Sequence, residues 1–134
     1  MSDSSGFTLI LAVVIAITSC CTLTKSETTS RLRELEQEHI AFIDTYTAPS
    51  EGSQVQWDEA NFQTKMRTIN QGFATAASDV GIRSCPARKQ FVENSSALFG
   101  KDASFIETHH FVSSSFAEHK KEQIKQNYDS FLNP

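Results

Sequence analysis

Two Glu-x-x-His spacings are the part of this chain whose residue types and separation could support chemistry. They pair Glu36 with His39 and Glu107 with His110. On a helix, residues three apart lie on the same side, so each pair would present a carboxylate and an imidazole together. Both groups bind divalent transition metals. The spacing therefore raises the hypothesis of a metal site.

The positions of these residues on their helices argue against that site. Di-iron helical bundles direct two Glu-x-x-His pairs into the bundle core. Here His39 falls on an apolar stripe, but Glu107 and His110 lie more than about a quarter-turn away from the neighbouring apolar residues. We therefore expect no metal and no cofactor, and keep these residues only as weak candidates. The simpler expectation is that His39 and His109 pack in the core, each with a ring nitrogen bonded to a backbone or carboxylate partner.

No other motif in the sequence points to catalysis. It contains no Ser-His-Asp elbow, Gly-rich phosphate loop, Cys-x-x-Cys pair or haem-attachment pattern. The formal net charge of −4 argues against a general binder of nucleic acid. The sequence therefore predicts a protein without enzymatic activity and without a nucleic-acid partner.

An apolar run, Leu9–Ile17, leads directly into Thr18-Ser19-Cys20. The run has the length of a signal-peptide core and is shorter than the roughly 20 residues that a membrane-spanning helix needs. The segment resembles the signal peptide and lipobox of bacterial lipoproteins, although residues 1–5 lack the usual basic residue. The resemblance implies a signal peptide over residues 1–19 that is removed, and a lipid on the Cys20 thiol. Residues 20–29 would form the lipid attachment and a polar tether.

The same resemblance implies a place for the protein. A lipoprotein is held in the cell envelope by its lipid anchor, and stable anchoring requires more than one acyl chain. In that family an aspartate after the lipidated cysteine favours retention at the inner membrane, so Cys21 at this position implies the outer membrane. The expected function is a structural or interaction module whose partners are the membrane and an unidentified protein.

Two other interpretations use the same N-terminal segment. Gly6-Phe7 is similar to the cleavage site of type IV prepilins, whose other hallmarks are replaced here by Ser5 and Leu11. In that case the mature chain would begin at Phe7. Alternatively, residues 6–24 remain as a single tilted span of the inner membrane, and the positive-inside rule would leave the C-terminal domain in the cytoplasm.

The chain has three cysteines, Cys20, Cys21 and Cys85. If Cys20 carries lipid, Cys21 and Cys85 are the remaining pair that could form an intramolecular disulfide. The oxidising envelope of a bacterium would permit that bond.

The spacing of apolar residues predicts helices after the leader. Ser30–Tyr46, Asp58–Val80 and Pro86–Phe99 each carry an apolar stripe with helical period. Asp102 is predicted to cap a fourth segment, which the serine run at 113–115 interrupts or restarts. No strand-like alternation follows residue 24. The sequence therefore predicts an all-α domain over residues 30–134, a bundle of four or five helices.

Aromatic residues are unusually prominent for so small a bundle. The chain contains ten phenylalanines, which we expect first of all in the core. Trp57 is predicted to fold back on the first turn of the second helix as a hydrophobic staple. An exposed Phe stripe would instead offer a groove for an apolar ligand or a partner.

Overall fold

The computed structural model describes residues 25–53 and 55–133, with side chains from residue 27 onward. Within those ranges the chain forms five helices and no strand. They are α1 (Lys25–Thr45), α2 (Glu59–Ser78), α3 (Val80–Arg83), α4 (Pro86–His109) and α5 (Ser114–Leu132). The predicted all-α bundle is thus confirmed. The predicted signal peptide, Cys20 and Cys21 lie outside the described residues.

The first helix is longer than predicted at its N-terminal end. It begins at Lys25 rather than near Ser30, so the second half of the predicted tether is helical. Thr28 and Leu32 are buried because the first turns of α1 already pack on the bundle. Further along, α1 contacts mainly α5 and α2.

The second helix begins as the sequence predicts. The Asp58 side chain accepts a hydrogen bond from the Asn61 N–H at 3.0 Å and caps α2. The Trp57 ring lies 4.8 Å from that of Phe62, one turn into the helix, which confirms the predicted staple. α2 ends at Ser78, before Gly81, because Asp79 leaves the helical conformation and caps α3 instead.

The fourth helix runs without a break through Gly100, where the sequence predicts a stop. Phe99, Ala103 and Ile106 extend the buried stripe across the glycine, which faces solvent. Continued burial of that stripe outweighs the weak helix propensity of one glycine. Asp102 therefore lies inside α4 and does not cap a new helix.

A short backbone contact holds the α4–α5 linker to the end of α1. Val112 donates to the Tyr46 carbonyl and accepts from the Ala48 N–H, both at 2.9 Å. Ser113 then caps α5 by accepting from the Phe116 N–H at 3.2 Å. The predicted restart in the serine run is therefore present, with the cap at its first serine.

The core is aromatic, as the sequence predicts. The centroid of the Phe42 ring lies 5.1 Å from that of the Phe99 ring, in an edge contact, and 5.8 Å from that of the Phe62 ring, in a tilted contact. Of all the described helices, none is both long enough and apolar enough to cross a bilayer.

Replacing Gly100 with alanine should raise the free energy of unfolding by about 0.5–1 kcal/mol, because alanine is favoured over glycine inside a helix. The new Cβ would meet no atom within 4 Å. Urea denaturation of the variant and the wild type measures the change.

Gly72 of α2 provides the matched control. A Cβ there would lie 3.0 Å from the Leu35 side chain, so G72A should gain nothing and lose stability if Leu35 cannot move. A G100A variant less stable than the wild type would contradict the continuous α4.

Candidate functional site

A buried carboxylate, that of Asp102 on α4, bonds to side chains from two other helices. Its Oδ2 lies 2.8 Å from Nε2 of His39 on α1, and its Oδ1 lies 3.1 Å from Nζ of Lys120 on α5. His39 is 0% exposed and Asp102 is 3% exposed. This buried triad, His39–Asp102–Lys120, links α1, α4 and α5 through one pair of carboxylate oxygens.

Helix periodicity explains why these side chains meet. His39 lies three residues before Phe42, so it shares the core-facing stripe of α1. Asp102 follows Phe99 by three residues within the continuous α4 and shares its buried face. Lys120 is partly buried, and its aliphatic stem carries the ammonium group from α5 to the Asp102 carboxylate.

The chemistry of the three groups assigns the protons. An ionised carboxylate accepts hydrogen bonds and cannot donate, so His39 donates from Nε2 and Lys120 donates from Nζ. His39 Nδ1 is then buried with no hydrogen-bond partner among the described residues. The ring meets Phe99 in a perpendicular contact, with centroids 5.2 Å apart. Lys120 supplies the positive charge that makes a buried carboxylate tolerable.

A His-Asp pair also occurs in hydrolytic triads, where the second imidazole nitrogen must reach a nucleophile beside the substrate. His39 has no exposed surface, and Phe99 lies against its ring. A substrate could reach the imidazole only if the helices separated. The arrangement therefore acts on the fold, by holding α1, α4 and α5 in one register.

Glu36, the predicted partner of His39 in a metal site, is instead paired with arginine. It is 4% exposed and accepts a hydrogen bond from Arg33 at 2.5 Å, while Arg33 also donates to Asp129 of α5 at 2.8 Å. The bond to Glu36, and then that to Asp129, raises the pKa of Arg33 above its ordinary value. The Glu36 carboxylate is thus neutralised by a cation of its own helix.

The second predicted pair lies on a different surface. Glu107 is exposed and accepts from Gln63 at 3.3 Å. His110 ends α4 with a positive φ of 67° and stacks on Trp57, with ring centroids 4.1 Å apart and an interplanar angle of 7°. The four weak metal candidates are not brought together. Over residues 25–53 and 55–133, no group of three or more His, Cys, Asp and Glu side chains could hold a metal ion.

The two histidines that the sequence places in the core have different outcomes. His39 is buried with a carboxylate partner, as predicted. The predicted burial of His109 is wrong, because its ring is exposed and stacks on Phe105, with centroids 4.1 Å apart. The predicted backbone partner is present, since His109 Nδ1 lies 2.9 Å from the Phe105 carbonyl oxygen. The uninterrupted register of α4 directs Ile106 into the core and turns both Phe105 and His109 outward.

The sequence does not identify Asp102 and Lys120 as site residues. It predicts a helix end at Gly100, and that end makes Asp102 a helix cap. Once Gly100 is placed inside the helix, Asp102 is a charged residue within an apolar stripe, which is the pattern of a buried ion pair. Lys120 has no comparable signal, since a lysine at the rim of a helix face usually points to water.

Cys85, immediately before α4, is 1% exposed and is a disulfide cysteine in this structure. The other two cysteines are Cys20 and Cys21, so its partner lies outside the described residues. The pairing of Cys21 with Cys85 therefore stays a prediction.

Replacing Asp102 with alanine should lower the free energy of unfolding by about 3 kcal/mol, because the buried His39 donor and the Lys120 ammonium lose their acceptor. The measurement is urea denaturation at neutral pH. As control, Asp44→Ala removes a carboxylate that pairs with Lys121 at 2.9 Å but is 53% exposed. That change should cost less than about 1 kcal/mol. Equal losses in the two variants would show that the buried triad stabilises the protein no more than an exposed ion pair does.

Tyr46 should give the protein an alkaline limit. Burial, and then the charge of Asp58, raises the pKa of the Tyr46 hydroxyl above its ordinary 10.0. The unfolded chain therefore ionises first, and this tyrosine's contribution to stability falls as pH rises beyond its ordinary pKa. The buried hydroxyl also has no hydrogen-bond partner among the described residues.

Tyr46→Phe should accordingly stabilise the protein by about 1 kcal/mol at neutral pH, by removing that unpaired hydroxyl. The advantage of the variant should grow above about pH 10. Urea denaturation of both proteins at several pH values tests this. A variant that is less stable at neutral pH, or a difference that does not change with pH, would overturn the assignment.

No protein-family model matches the chain, and no curated protein and no solved structure is significantly similar to it.

Proposed function

We propose that this chain is a lipid-anchored bacterial envelope protein, whose helical bundle is a non-catalytic structural or interaction module. The observation that carries the proposal is the lipobox-like Ile17-Thr18-Ser19-Cys20 behind the apolar run Leu9–Ile17. Removal of residues 1–19 would leave the acceptor thiol at the new N-terminus. The lipid would then be the membrane anchor.

The beginning of α1 supports this division of the chain. The described part of α1 begins at Lys25, so a cut before Cys20 removes the leader without cutting into the described bundle.

The use of the polar core residues supports a role other than catalysis. His39 and Glu36, the buried members of the metal hypothesis, are bound to Asp102 and Arg33 within the fold. His39 is 0% exposed and Glu36 is 4% exposed, so both side chains are engaged in holding the fold. The surfaces of the bundle are then the part available for interaction.

The proposed location is the outer membrane, because Cys21 stands where an aspartate would favour inner-membrane retention. The two alternative interpretations differ from this proposal in how the N-terminal segment is processed. A prepilin-like subunit would be cut after Gly6, and an uncleaved inner-membrane anchor would keep residues 6–24. Each predicts a different mass for the mature chain.

Changing Cys20 to serine should abolish lipidation and release the protein from the membrane fraction. The full chain is expressed in a bacterial host that processes lipoproteins, and intact mass and fractionation are compared with the wild type. The wild-type mass should show the loss of residues 1–19 and the gain of acyl chains. Cys21→Ser is the matched control and should keep both.

Three results would contradict the proposal. A C20S variant with unaltered mass and membrane retention would exclude Cys20 as the anchor. A mature N-terminus at Phe7 would favour the prepilin-like subunit. A full-length mass with membrane retention would favour the uncleaved span.

A further inference from the structure

One end of the bundle combines the start of α1 with an exposed aliphatic residue. Val80, the first residue of α3, is 64% exposed, the most of any large apolar side chain among the described residues. Arg31, near the start of α1, lies 3.8 Å from the Asp79 carboxylate next to Val80. The ion pair places both elements at the same end, which we call the proximal end: the first turns of α1, α3 and the first turn of α4.

The length of chain before α1 limits how far this end can lie from a lipid anchor. Cys20 precedes Lys25 by five residues. An extended chain spans at most about 3.6 Å per residue, so the start of α1 stays within about 18 Å of the lipidated thiol. A Cys21–Cys85 bond, which the sequence permits, would bring the start of α4 close to the same anchor.

The opposite end lies much farther away. α2 connects the two ends over 20 residues, with Trp57 before its first residue and Val80 after its last. At 1.5 Å per residue the helix is about 30 Å long. A bundle standing on its proximal end would therefore hold Trp57 well clear of the bilayer.

Exposed cations accompany Val80 at the proximal end. Arg83 of α3 and Lys89 in the first turns of α4 are both exposed. Among the carboxylates there, Asp79 is paired with Arg31, and Asp129 at the end of α5 is paired with Arg33. Glu27 and Glu34 of α1 are exposed acidic groups at the same end, so the cations stand beside carboxylates rather than alone. A lysine or arginine near an anionic membrane surface is attracted to that surface.

The end that carries Trp57 has the opposite character. Its exposed charges are mainly carboxylates: Glu51, Asp58, Glu59 and Glu107. An anionic surface repels these groups and attracts the cations at the proximal end. The distribution of charge thus favours one orientation of the bundle over the reverse.

We propose that the proximal end rests on the headgroups of an anionic bilayer, with Val80 entering the headgroup layer and Arg83 and Lys89 facing lipid phosphates. The axis of α2 is then roughly perpendicular to the membrane surface, and the Trp57 end points away from the bilayer. This inference rests on the proposed function, since the lipid on Cys20 is what confines the proximal end.

The single tryptophan of the chain allows a direct test. The full chain is expressed in the same host, purified, and reconstituted in vesicles of phosphatidylglycerol and phosphatidylcholine with brominated acyl chains, which quench indole fluorescence at close range. The wild type reports on the far end through Trp57. The double variant W57F/V80W moves the indole to the proximal end, where an exposed position accepts the larger ring.

We expect the indole of W57F/V80W to lose most of its fluorescence in brominated vesicles, and that of the wild type to lose little. Adding R83E and K89E should remove most of the quenching. The matched control adds R67E and K101E, which reverse two exposed charges on α2 and α4 away from the proximal end, and should leave the quenching unchanged.

The results separate this inference from the proposed function. Intact mass is measured first, and a mass without acyl chains overturns the proposed function and this inference with it. An acylated protein whose W57F/V80W indole is not quenched overturns the orientation alone. Strong quenching of Trp57 in the wild type would also overturn the orientation, and this measurement does not depend on the folding of any variant. Equal effects of the two charge reversals would overturn the role of Arg83 and Lys89.

Discussion

A carboxylate buried among helices is stable only where donors, preferably charged, reach both of its oxygens. Asp102 satisfies that constraint with His39 on one oxygen and Lys120 on the other. The two donors come from different helices, so α1, α4 and α5 must keep one relative register. An axial shift of any of these helices by a single turn would leave the Asp102 carboxylate without one or both of its donors. This requirement makes the register more specific than apolar packing alone would.

The aromatic core is arranged around the same point. Phe99 lies between the buried triad and the rest of the bundle, with its ring 5.2 Å from His39, 5.1 Å from Phe42 and 6.1 Å from Phe73. Rings of this size fill a small core with few side chains. The staple of Trp57 on Phe62 closes the end of that core where α2 begins.

These contacts divide the molecule into an interior that fixes the fold and two ends of different character. The side chains best suited to chemistry, His39 and Glu36, belong to the interior. The ends remain for interaction: one carries Val80 and exposed cations close behind the proposed lipid site, and the other carries stacked rings and carboxylates. The proposed lipid anchor would hold the first of these ends at the membrane.

The sequence by itself determined the fold class, the start of α2, the staple at Trp57 and the burial of His39, because helical periodicity and local capping are encoded within a few residues. The predicted break at Gly100 is wrong, and so are the predicted cap at Asp102 and the predicted burial of His109. Whether a glycine ends a helix depends on how much apolar surface the following turns bury, and that is decided by distant partners. Only the tertiary structure could show that Asp102 meets His39 and Lys120, because the three residues lie on separate helices. Their pairing depends on how those helices pack.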